Sequence, residues 1–337
     1  MPLRSVASDV HILGAGALGS LFASHLASSG IRTTLLLRGL TRANRLELHV
    51  DGVSQSGATI QAEACSSSGQ PITTLLVATK AYSAREAVAS VAARLDHGAP
   101  SSVILLTNGA MAVASELQLP PTASLLVATT THGAWLKTVS TADDSTTLVR
   151  HVQHASEGST WVGPLLRRSS SQREAEEDAA VVAATALLSD SAAEARAARL
   201  AAARRIRHER RAREFTGALR TVGLGGILEG RVETERRLWL KLAANAVINP
   251  LSAMWNVRNG LVLERIEGRH LAREVVAEIA SVALALAARG DACAAPSAEE
   301  LYTFVAQTAA QTELNYSSMQ QDIARGRMTE IDALNGW

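Results

Sequence analysis

Three polar residues recur at helical spacing in one apolar stretch, which makes them candidates for catalysis. Lys241, Asn245 and Asn249 are four residues apart, so a helix would place them on one face. Their neighbours are apolar, so the three side chains must find polar partners, face a ligand, or form a solvent-facing stripe. A lysine in such surroundings can have a lowered pKa and act as an acid or base.

Polar residues also follow two predicted strands. Lys80 comes just after the apolar run Leu75–Ala78, and Asn108 just after the run Ser102–Leu106. Ligands of open α/β sheets bind outside the carboxyl ends of the strands. Each of the two residues is therefore either a turn residue or a ligand contact.

Two further candidates lie near the C-terminal end. Ser318 and Gln321 have the spacing of a capping box, which predicts that Ser318 is the N-cap of a helix. Glu330 follows in the segment TEID. Taken alone, Glu330 fits a plain surface carboxylate.

The segment Gly14-Ala15-Gly16-Ala17-Leu18-Gly19 has the pattern GxGxxG between a predicted strand and a predicted helix. This context is typical of dinucleotide binding, whereas the bare pattern also occurs in ordinary glycine turns. Gly14 would permit the tight turn, Gly16 the approach of a pyrophosphate, and Gly19 the close packing of helix and strand. The helix N-terminus would supply N–H donors and a favourable dipole.

Arg38 stands 19 residues after Gly19, near the position where NAD-binding sites carry an acidic residue. Arg42 and Arg45 are close by in the sequence. A guanidinium suits a 2′-phosphate through charge-assisted hydrogen bonds, so the sequence favours NADP(H). The alternative is a set of solvated surface arginines.

These residues need strands and helices to position them. Aliphatic runs alternate with Ala-rich helical stretches over residues 10–140, which predicts βαβ units and a doubly wound parallel sheet. The predicted strands are Val10–Leu13, Thr33–Leu37, Leu75–Ala78, Ser102–Leu106 and Leu125–Thr129, and the predicted helices are Ala17–Ser28 and Ser83–Leu95. The polar segment Gly52–Pro71 is predicted to be a loop or a small antiparallel excursion. From Leu219 onward the pattern indicates helices and no strand, at Glu233–Ala246, Glu264–Ala288, Ser297–Leu314 and Ser318–Arg325.

Composition excludes several classes of protein. The chain has 337 residues, which at roughly 150 per domain gives about two domains. A net charge of +1 argues against nucleic-acid binding through bulk charge, and two cysteines argue against a disulfide scaffold or a Cys-based zinc module. His151 and His154 lack further ligands nearby in the sequence, so no metal is expected. No stretch reads as a membrane span or a signal peptide, so we expect a cytoplasmic protein, with a short mitochondrial targeting arm as the alternative.

The block 165–214 differs in composition from its surroundings because it is rich in Ala, Arg and Glu. It is either a basic patch for nucleic acid or a protein partner, or an insertion that is helical or partly disordered. Nearby acidic residues offset its positive charge, which favours the second interpretation. The chain is thus predicted to contain an NADP-binding Rossmann-like domain over 9–164, this insertion, and a helical substrate and catalytic domain over 215–337.

In their order and spacing, six segments resemble the ketopantoate reductase (2-dehydropantoate 2-reductase) family. They are GAGALGS, TKAY, TNGA, TTTHGA, WLKLAANAVINPLSA and SSMQQDI…TEID, and the resemblance covers residues 9–164 and 215–337. It implies NADPH-dependent reduction of 2-dehydropantoate to (R)-pantoate, in pantothenate and coenzyme A synthesis. The expected partner is thus a small 2-oxo acid, with no membrane or nucleic-acid partner, and the protein is expected to form a homodimer.

The resemblance also implies a role for each matching residue. Lys241 would be the general acid that protonates the ketone oxygen, and Glu330 would be the acidic partner in the site. Substrate binding would fall to Asn245, Asn249 and Ser318, and cofactor binding to Gly14, Ala15, Gly16, Ala17, Leu18, Gly19, Arg38, Lys80 and Asn108.

Two features depart from the family pattern. Seven residues follow Glu330, fewer than the family usually has, so we expect a helical domain shortened at its C-terminus. The block 165–214 is an addition. The alternatives to the leading interpretation are a reductase of another 2-oxo acid, and a catalytically impaired family member that acts as a binding or regulatory factor.

Overall fold

The computed structural model divides the chain into two compact units. Unit 1 comprises Met1–Ala78, Ala87–Leu106 and Gln118–Glu229, and unit 2 comprises Thr79–Glu86, Thr107–Leu117 and Gly230–Trp337. The structure describes residues 9–38, 45–51, 53–54, 60–66, 68–95, 98, 100–120, 122–141, 147–165 and 192–336. The division therefore falls at Gly230 rather than near residue 215, and two short segments that follow strands are grouped with the helices of unit 2.

Twelve strands form two sheets within the described residues of unit 1. In chain order they are β1 (Asp9–Leu13), β2 (Arg32–Leu37), β3 (Arg45–Val50), β4 (Val53–Ser54), β5 (Ile60–Ala64), β6 (Thr74–Val77), β7 (Ser101–Leu105), β8 (Ala123–Thr130), β9 (Gly133–Thr141), β10 (Thr147–Ser156), β11 (Thr160–Pro164) and β12 (Gly226–Leu228).

The larger sheet has eight strands in the order β12-β11-β8-β7-β6-β1-β2-β5. Neighbouring strands are parallel except for β8 and β11. Its central strands are continuous aliphatic runs because both faces are covered, and Ile12, Leu76 and Ile104 are each 0% exposed. The structure thus confirms the predicted α/β class with a mainly parallel sheet.

Two of the predictions for this unit were wrong. Gly226–Leu228 is a strand, although no strand was expected beyond Leu219. Three residues are too few to show the alternation of apolar and polar residues that marks a strand, and this strand forms by pairing with β11. The segment Gly52–Pro71 does contain a small antiparallel strand, β4, which pairs with β3, but it also contains β5, which pairs in parallel with β2 at the edge of the large sheet and contradicts the prediction. Edge position leaves much of β5 accessible, so its sequence is too polar to indicate a buried strand.

The smaller sheet has the order β4-β3-β10-β9. Strand β10 runs parallel to β3 and antiparallel to β9. One face of this sheet packs on helix α1 (Ala17–Ser28), where Leu21, Val50 and Val152 form a buried cluster. Helix α1 therefore packs against both the small sheet and strand β2 of the large sheet.

The described part of the first 229 residues contains four more helices: α2 (Ala81–Ala89), α3 (Ala92–Leu95), α4 (Ala110–Glu116) and α5 (Ala192–Thr221). One helix was expected at Ser83–Leu95, but it breaks after Ala89, where the Ser90 hydroxyl donates to the Ala87 carbonyl at 2.7 Å.

Part of the Ala/Arg-rich block proves to be helical. Its residues 166–191 lie outside the described residues, whereas α5 covers the remainder. Glu214 pairs with Arg210 and Arg211 on this helix, which gives the helix a mixed charged face. Near its C-terminal end, α5 buries Phe215 and Leu219 in the core of unit 1, so this end is an integral part of the unit.

Unit 2 is helical throughout its described residues, as predicted. Its longer chain segment forms α6 (Arg231–Trp255), α7 (Asn259–Glu264), α8 (Ile266–Ala288), α9 (Ala298–Gln311), α10 (Ser318–Ala324) and α11 (Ile331–Leu334). The helices pack around Trp239, Val247 and Leu301, which are at most 1% exposed. Across the described part of the chain, no helix has the length and apolar character needed to cross a membrane.

Helix α6 continues through Pro250, beyond the predicted end at Ala246. Proline has no backbone N–H, so the carbonyl four residues earlier, at Ala246, loses its helical donor. The Asn335 side-chain amide replaces that donor and lies 3.0 Å from the Ala246 oxygen. Because the Asn335 amide replaces the missing donor, α6 continues through Pro250, and one helix carries all three polar residues of the 241–249 stripe.

Candidate functional site

Lys80 lies between two buried carboxylates of unit 2. Its Nζ is 2.6 Å from Asp322 Oδ2 and 3.4 Å from Glu330 Oε2. The carboxylates are almost inaccessible, with side chains 4% and 6% exposed, whereas the Lys80 side chain is 36% exposed. Buried carboxylates are costly unless a cation and hydrogen bonds compensate them, so Lys80 stabilises both.

The pKa of Lys80 is raised from its ordinary value. Burial alone would lower it, but the negative charge of Glu330 and the hydrogen bond and charge of Asp322 together outweigh burial. Lys80 is therefore a permanent cation at neutral pH.

Glu330 also binds two other groups. Its Oε1 accepts a hydrogen bond from the backbone N–H of Ala81 at 2.9 Å, and its Oε2 accepts one from Asn108 Nδ2 at 3.2 Å. The structure thus brings together Lys80, Asn108 and Glu330, three residues that the sequence places in separate motifs. The expectation of a plain surface role for Glu330 is wrong, since the residue is 6% exposed.

The loops carrying Lys80 and Asn108 are held together by local interactions. The Thr107 hydroxyl donates to the Thr79 carbonyl at 2.8 Å. Gly109 has φ of +62°, and a Cβ there would lie 2.8 Å from the Ala333 oxygen. Only glycine fits this conformation and this close approach of α11, which explains the glycine directly after Asn108.

Asp322 is a site residue that the sequence analysis missed. It is 3% exposed, and besides Lys80 it pairs with Arg327, whose Nη2 lies 3.2 Å from Oδ1. The segment SSMQQDI contains it as its only acid. A second signal was the lysine itself, because a lysine beside apolar strand ends needs a carboxylate partner.

The stripe on α6 faces the protein rather than open solvent. Lys241 and Asn245 are half-buried, and Asn249 is 7% exposed. Burial lowers the pKa of Lys241 to about 8, and the charge of Glu330 opposes that effect. The site's two carboxylates pair with Lys80 and Arg327, and no described carboxylate forms an ion pair with Lys241.

The helix cap predicted at Ser318 is displaced by one residue. Ser317 is the N-cap of α10 and accepts a hydrogen bond from the Gln320 N–H at 3.2 Å. Ser317 is 4% exposed and also accepts a hydrogen bond from the Ser252 hydroxyl at 2.7 Å, which ties α10 to α6. Ser318 is the first helical residue and is exposed, so its hydroxyl does not serve as the N-cap.

In unit 1, the glycine-rich segment forms the turn between β1 and α1. Gly14 has φ of +95°, which requires glycine. A Cβ at Gly19 would lie 1.9 Å from the Gly14 oxygen, so the helix can approach the strand only without a side chain there. Gly16 is the N-cap and brings no side-chain acceptor, so the first-turn N–H groups remain available for the phosphates of a dinucleotide.

The arginines after β2 are described only in part. Arg38 directly follows β2 and is exposed. Arg42 and the side chain of Arg45 lie outside the described residues.

The two histidines considered as metal ligands have different neighbours. His154 Nε2 lies 3.0 Å from Nδ1 of His132, whereas His151 stacks on His49 with ring centroids 4.5 Å apart. The described residues contain no cluster of three or more His, Cys, Asp or Glu side chains that could hold a metal ion.

Two sequence profiles of one family match most of the chain. The profile described as "Ketopantoate reductase PanE/ApbA" matches residues 10–167, and that described as "Ketopantoate reductase PanE/ApbA C terminal" matches residues 233–337. The chain is also 29% identical over 331 residues to the 2-dehydropantoate 2-reductase of Escherichia coli O157:H7. That alignment covers 97% of this chain and 86% of the relative.

Solved structures share the fold at lower identity. A D-mandelate dehydrogenase, in a ternary structure with NADH and anilino(oxo)acetate, is 19% identical with a TM-score of 0.66, covering 97% of this chain and 89% of that one. A probable 2-dehydropantoate 2-reductase from Bacillus subtilis is 20% identical with a TM-score of 0.61, covering 97% and 90%. At these identities the likeness concerns the fold.

Proposed function

The chain belongs to the ketopantoate reductase PanE/ApbA family, and we propose that it reduces 2-dehydropantoate to (R)-pantoate with NADPH. The family consists of NAD(P)H-dependent oxidoreductases; the choice of NADPH and the acid role of Lys241 are parts of the proposal. In this account residues 9–164 bind the cofactor and the helical region from Gly230 onward supplies the substrate and acid–base groups.

The observation that carries the proposal is the state of Lys241. A general acid works best when its pKa lies near the working pH, because much of it is then protonated and it still transfers its proton readily. The pKa of about 8 keeps most of Lys241 protonated at pH 7 while making it a much stronger acid than an exposed lysine. Its sequence neighbours Leu240 and Leu242 are apolar, and burial of the side chain on α6 disfavours the charged form of the amine.

In the proposed reaction, Lys241 Nζ donates a hydrogen bond and then its proton to the ketone oxygen at C2. The bound nicotinamide supplies the hydride that C2 receives. Because the ammonium lies where alkoxide charge develops, it stabilises the transition state more than the ground state. The lysine ends neutral and regains its proton from solvent.

The neighbouring polar groups would bind substrate and cofactor. Asn245, Asn249 and Ser318 offer amide and hydroxyl groups suited to the substrate carboxylate and hydroxyl. Lys80 and Asn108 already carry hydrogen bonds to the carboxylates, which fix their orientation for cofactor contact. Glu330 would hold this arrangement and raise the pKa of Lys241 enough to keep it protonated.

NADPH oxidation by the full chain tests the reaction. We expect turnover with 2-dehydropantoate and a loss of at least about a hundredfold in kcat for Lys241→Met. Higher kcat/KM with 3-methyl-2-oxobutanoate, which lacks the hydroxymethyl group, would identify a reductase of another 2-oxo acid. Lack of turnover by the folded wild-type chain with either acid would reject the enzyme proposal in favour of a binding role.

Cofactor choice is tested at Arg38. We expect kcat/KM to be higher with NADPH than with NADH, and Arg38→Gln to reduce that preference by about tenfold, since a charge-assisted contact to the 2′-phosphate is lost. Equal kcat/KM for the two cofactors in the wild-type protein would refute the 2′-phosphate assignment.

A further inference from the structure

A positively charged residue lies on the face of the small sheet that packs on α1. Arg150 of β10 lies opposite Leu48 of β3, and two residues along, Val152 lies opposite Val50. Side chains two apart on a strand share a face. Leu48, Val50 and Val152 are at most 9% exposed, so Arg150 occupies the face that packs on α1.

The guanidinium of Arg150 reaches the glycine-rich turn. Its Nη1 donates a hydrogen bond to the Ala15 carbonyl at 2.5 Å. Ala15 directly precedes Gly16, the N-cap of α1. Arg150 therefore fixes the orientation of the peptide at which the turn enters the helix.

The rest of the guanidinium is incompletely compensated. Its Nε is buried and has no hydrogen-bond partner among the residues that the structure describes. None of the described acidic side chains forms an ion pair with Arg150, and burial lowers the pKa of the guanidinium. A partly desolvated cation without a carboxylate costs folding free energy, and an anion bound beside it would offset that cost.

We propose that Arg150 is a cofactor-positioning residue, which fixes the glycine-rich turn through Ala15 and adds positive charge for the pyrophosphate bound there. This inference rests on the proposed function, because it requires a dinucleotide at the turn. The turn alone supplies partial charges from N–H groups and the helix dipole, whereas Arg150 adds a full charge in a poorly hydrated position.

The opposite view is that Arg150 is only a structural tie for the small sheet. A structural tie would stabilise the ligand-free protein, so Arg150→Met would lower its thermal midpoint. A cofactor-positioning charge instead destabilises the protein when its anion is absent. Arg150→Met should therefore leave the thermal midpoint of the ligand-free protein unchanged or raise it. The two roles therefore predict different effects of Arg150→Met on the thermal midpoint of the ligand-free protein.

The test measures NADPH binding and thermal unfolding in the full chain, without any turnover. The variants are Arg150→Met, Arg150→Lys and, as a control, Lys137→Met, which removes an exposed charge from the neighbouring strand β9. We expect the Kd for NADPH to rise about tenfold in Arg150→Met, less in Arg150→Lys, and less than twofold in the control. The wild-type affinity should also fall more steeply with salt than that of Arg150→Met.

Two results would overturn the inference. One is a wild-type-like Kd in Arg150→Met; the other is a lowered ligand-free midpoint with a salt dependence of NADPH binding equal to that of the wild type. If the wild-type protein itself binds no NADPH, the proposed function fails and this inference fails with it.

Discussion

The two lysines of unit 2 have pKa values shifted in opposite directions, although the charge of Glu330 acts to raise both. Lys80 contacts Glu330 and Asp322, and its pKa is raised. Lys241 experiences the charge of Glu330 without an ion pair, and burial lowers its pKa to about 8. Burial acts in the same direction on both, so the difference lies in how many carboxylates are within hydrogen-bonding distance.

Because their pKa values are shifted in opposite directions, the two lysines suit different roles in the proposed reaction. The raised pKa keeps Lys80 charged at neutral pH, which suits its proposed role as a fixed cation in cofactor binding. Lys241 can release its proton near neutral pH, which suits its proposed role as the general acid.

Removal of the acid should have the largest effect. Lys241→Met is expected to lower kcat by about a thousandfold, because it removes the proposed proton donor. Stability should be unchanged or higher, since a half-buried charge without an ion pair is removed. The control is Arg236→Met on the same helix, an exposed residue paired with Glu300, which should change kcat less than twofold. A kcat within tenfold of wild type in Lys241→Met would show that another group is the acid.

Removal of the shared charge should affect both lysines. Glu330→Gln keeps an acceptor for the Ala81 N–H but loses the charge that raises the pKa of Lys241. We expect kcat to fall about a hundredfold and the high-pH limb of activity to move to lower pH, which a pH series of initial rates measures. A limb at the wild-type position would mean that Glu330 does not influence the acid.

Removal of the carboxylate that contacts Lys80 most closely should affect binding and stability more than proton transfer. Asp322→Asn is expected to raise the KM for NADPH about tenfold and to cost about 1–3 kcal/mol in the free energy of unfolding, since Lys80 loses its 2.6 Å partner. The high-pH limb should stay in place. Chemical denaturation and steady-state kinetics measure these effects, and a shifted limb with an unchanged KM would reverse the assignment of the two lysines.

The smallest effect is expected at the exposed end of the same network. Arg327→Met removes the second partner of Asp322 but leaves Lys80 in place. The Arg327 side chain is 52% exposed, so solvent screens the pair and the change in unfolding free energy should be below about 1 kcal/mol. A larger loss would show that Arg327, rather than Lys80, compensates Asp322.

Sequence reasoning succeeded where the information was local. The turn at Gly14 and the strand and helix flanking it are encoded within a few residues, and the 241–249 stripe follows from helical spacing alone. The helical class of unit 2 also followed from periodicity, although Pro250 hid the true end of α6.

The features that the sequence analysis missed depend on tertiary pairing. Asp322 meets Lys80 across 242 positions of sequence, and no local pattern specifies that contact. Strands β3 and β10 are also far apart in the sequence, and no local pattern specifies their pairing. The face of the small sheet that carries Arg150 could therefore not be assigned. The cap at Ser317 was misplaced because two adjacent serines offer the same signal, and only packing against Ser252 selects one.

The pH dependence of kcat/KM for 2-dehydropantoate reduction tests the central claim most directly, because kcat/KM reports groups in the free enzyme. Lys241 must be protonated to act, so activity should be full below its pKa and fall as pH rises through about 8. The residual activity of Lys241→Met should lack this limb. A kcat/KM that stays level to about pH 10, where an ordinary lysine titrates, or a limb that persists in Lys241→Met, would contradict the account.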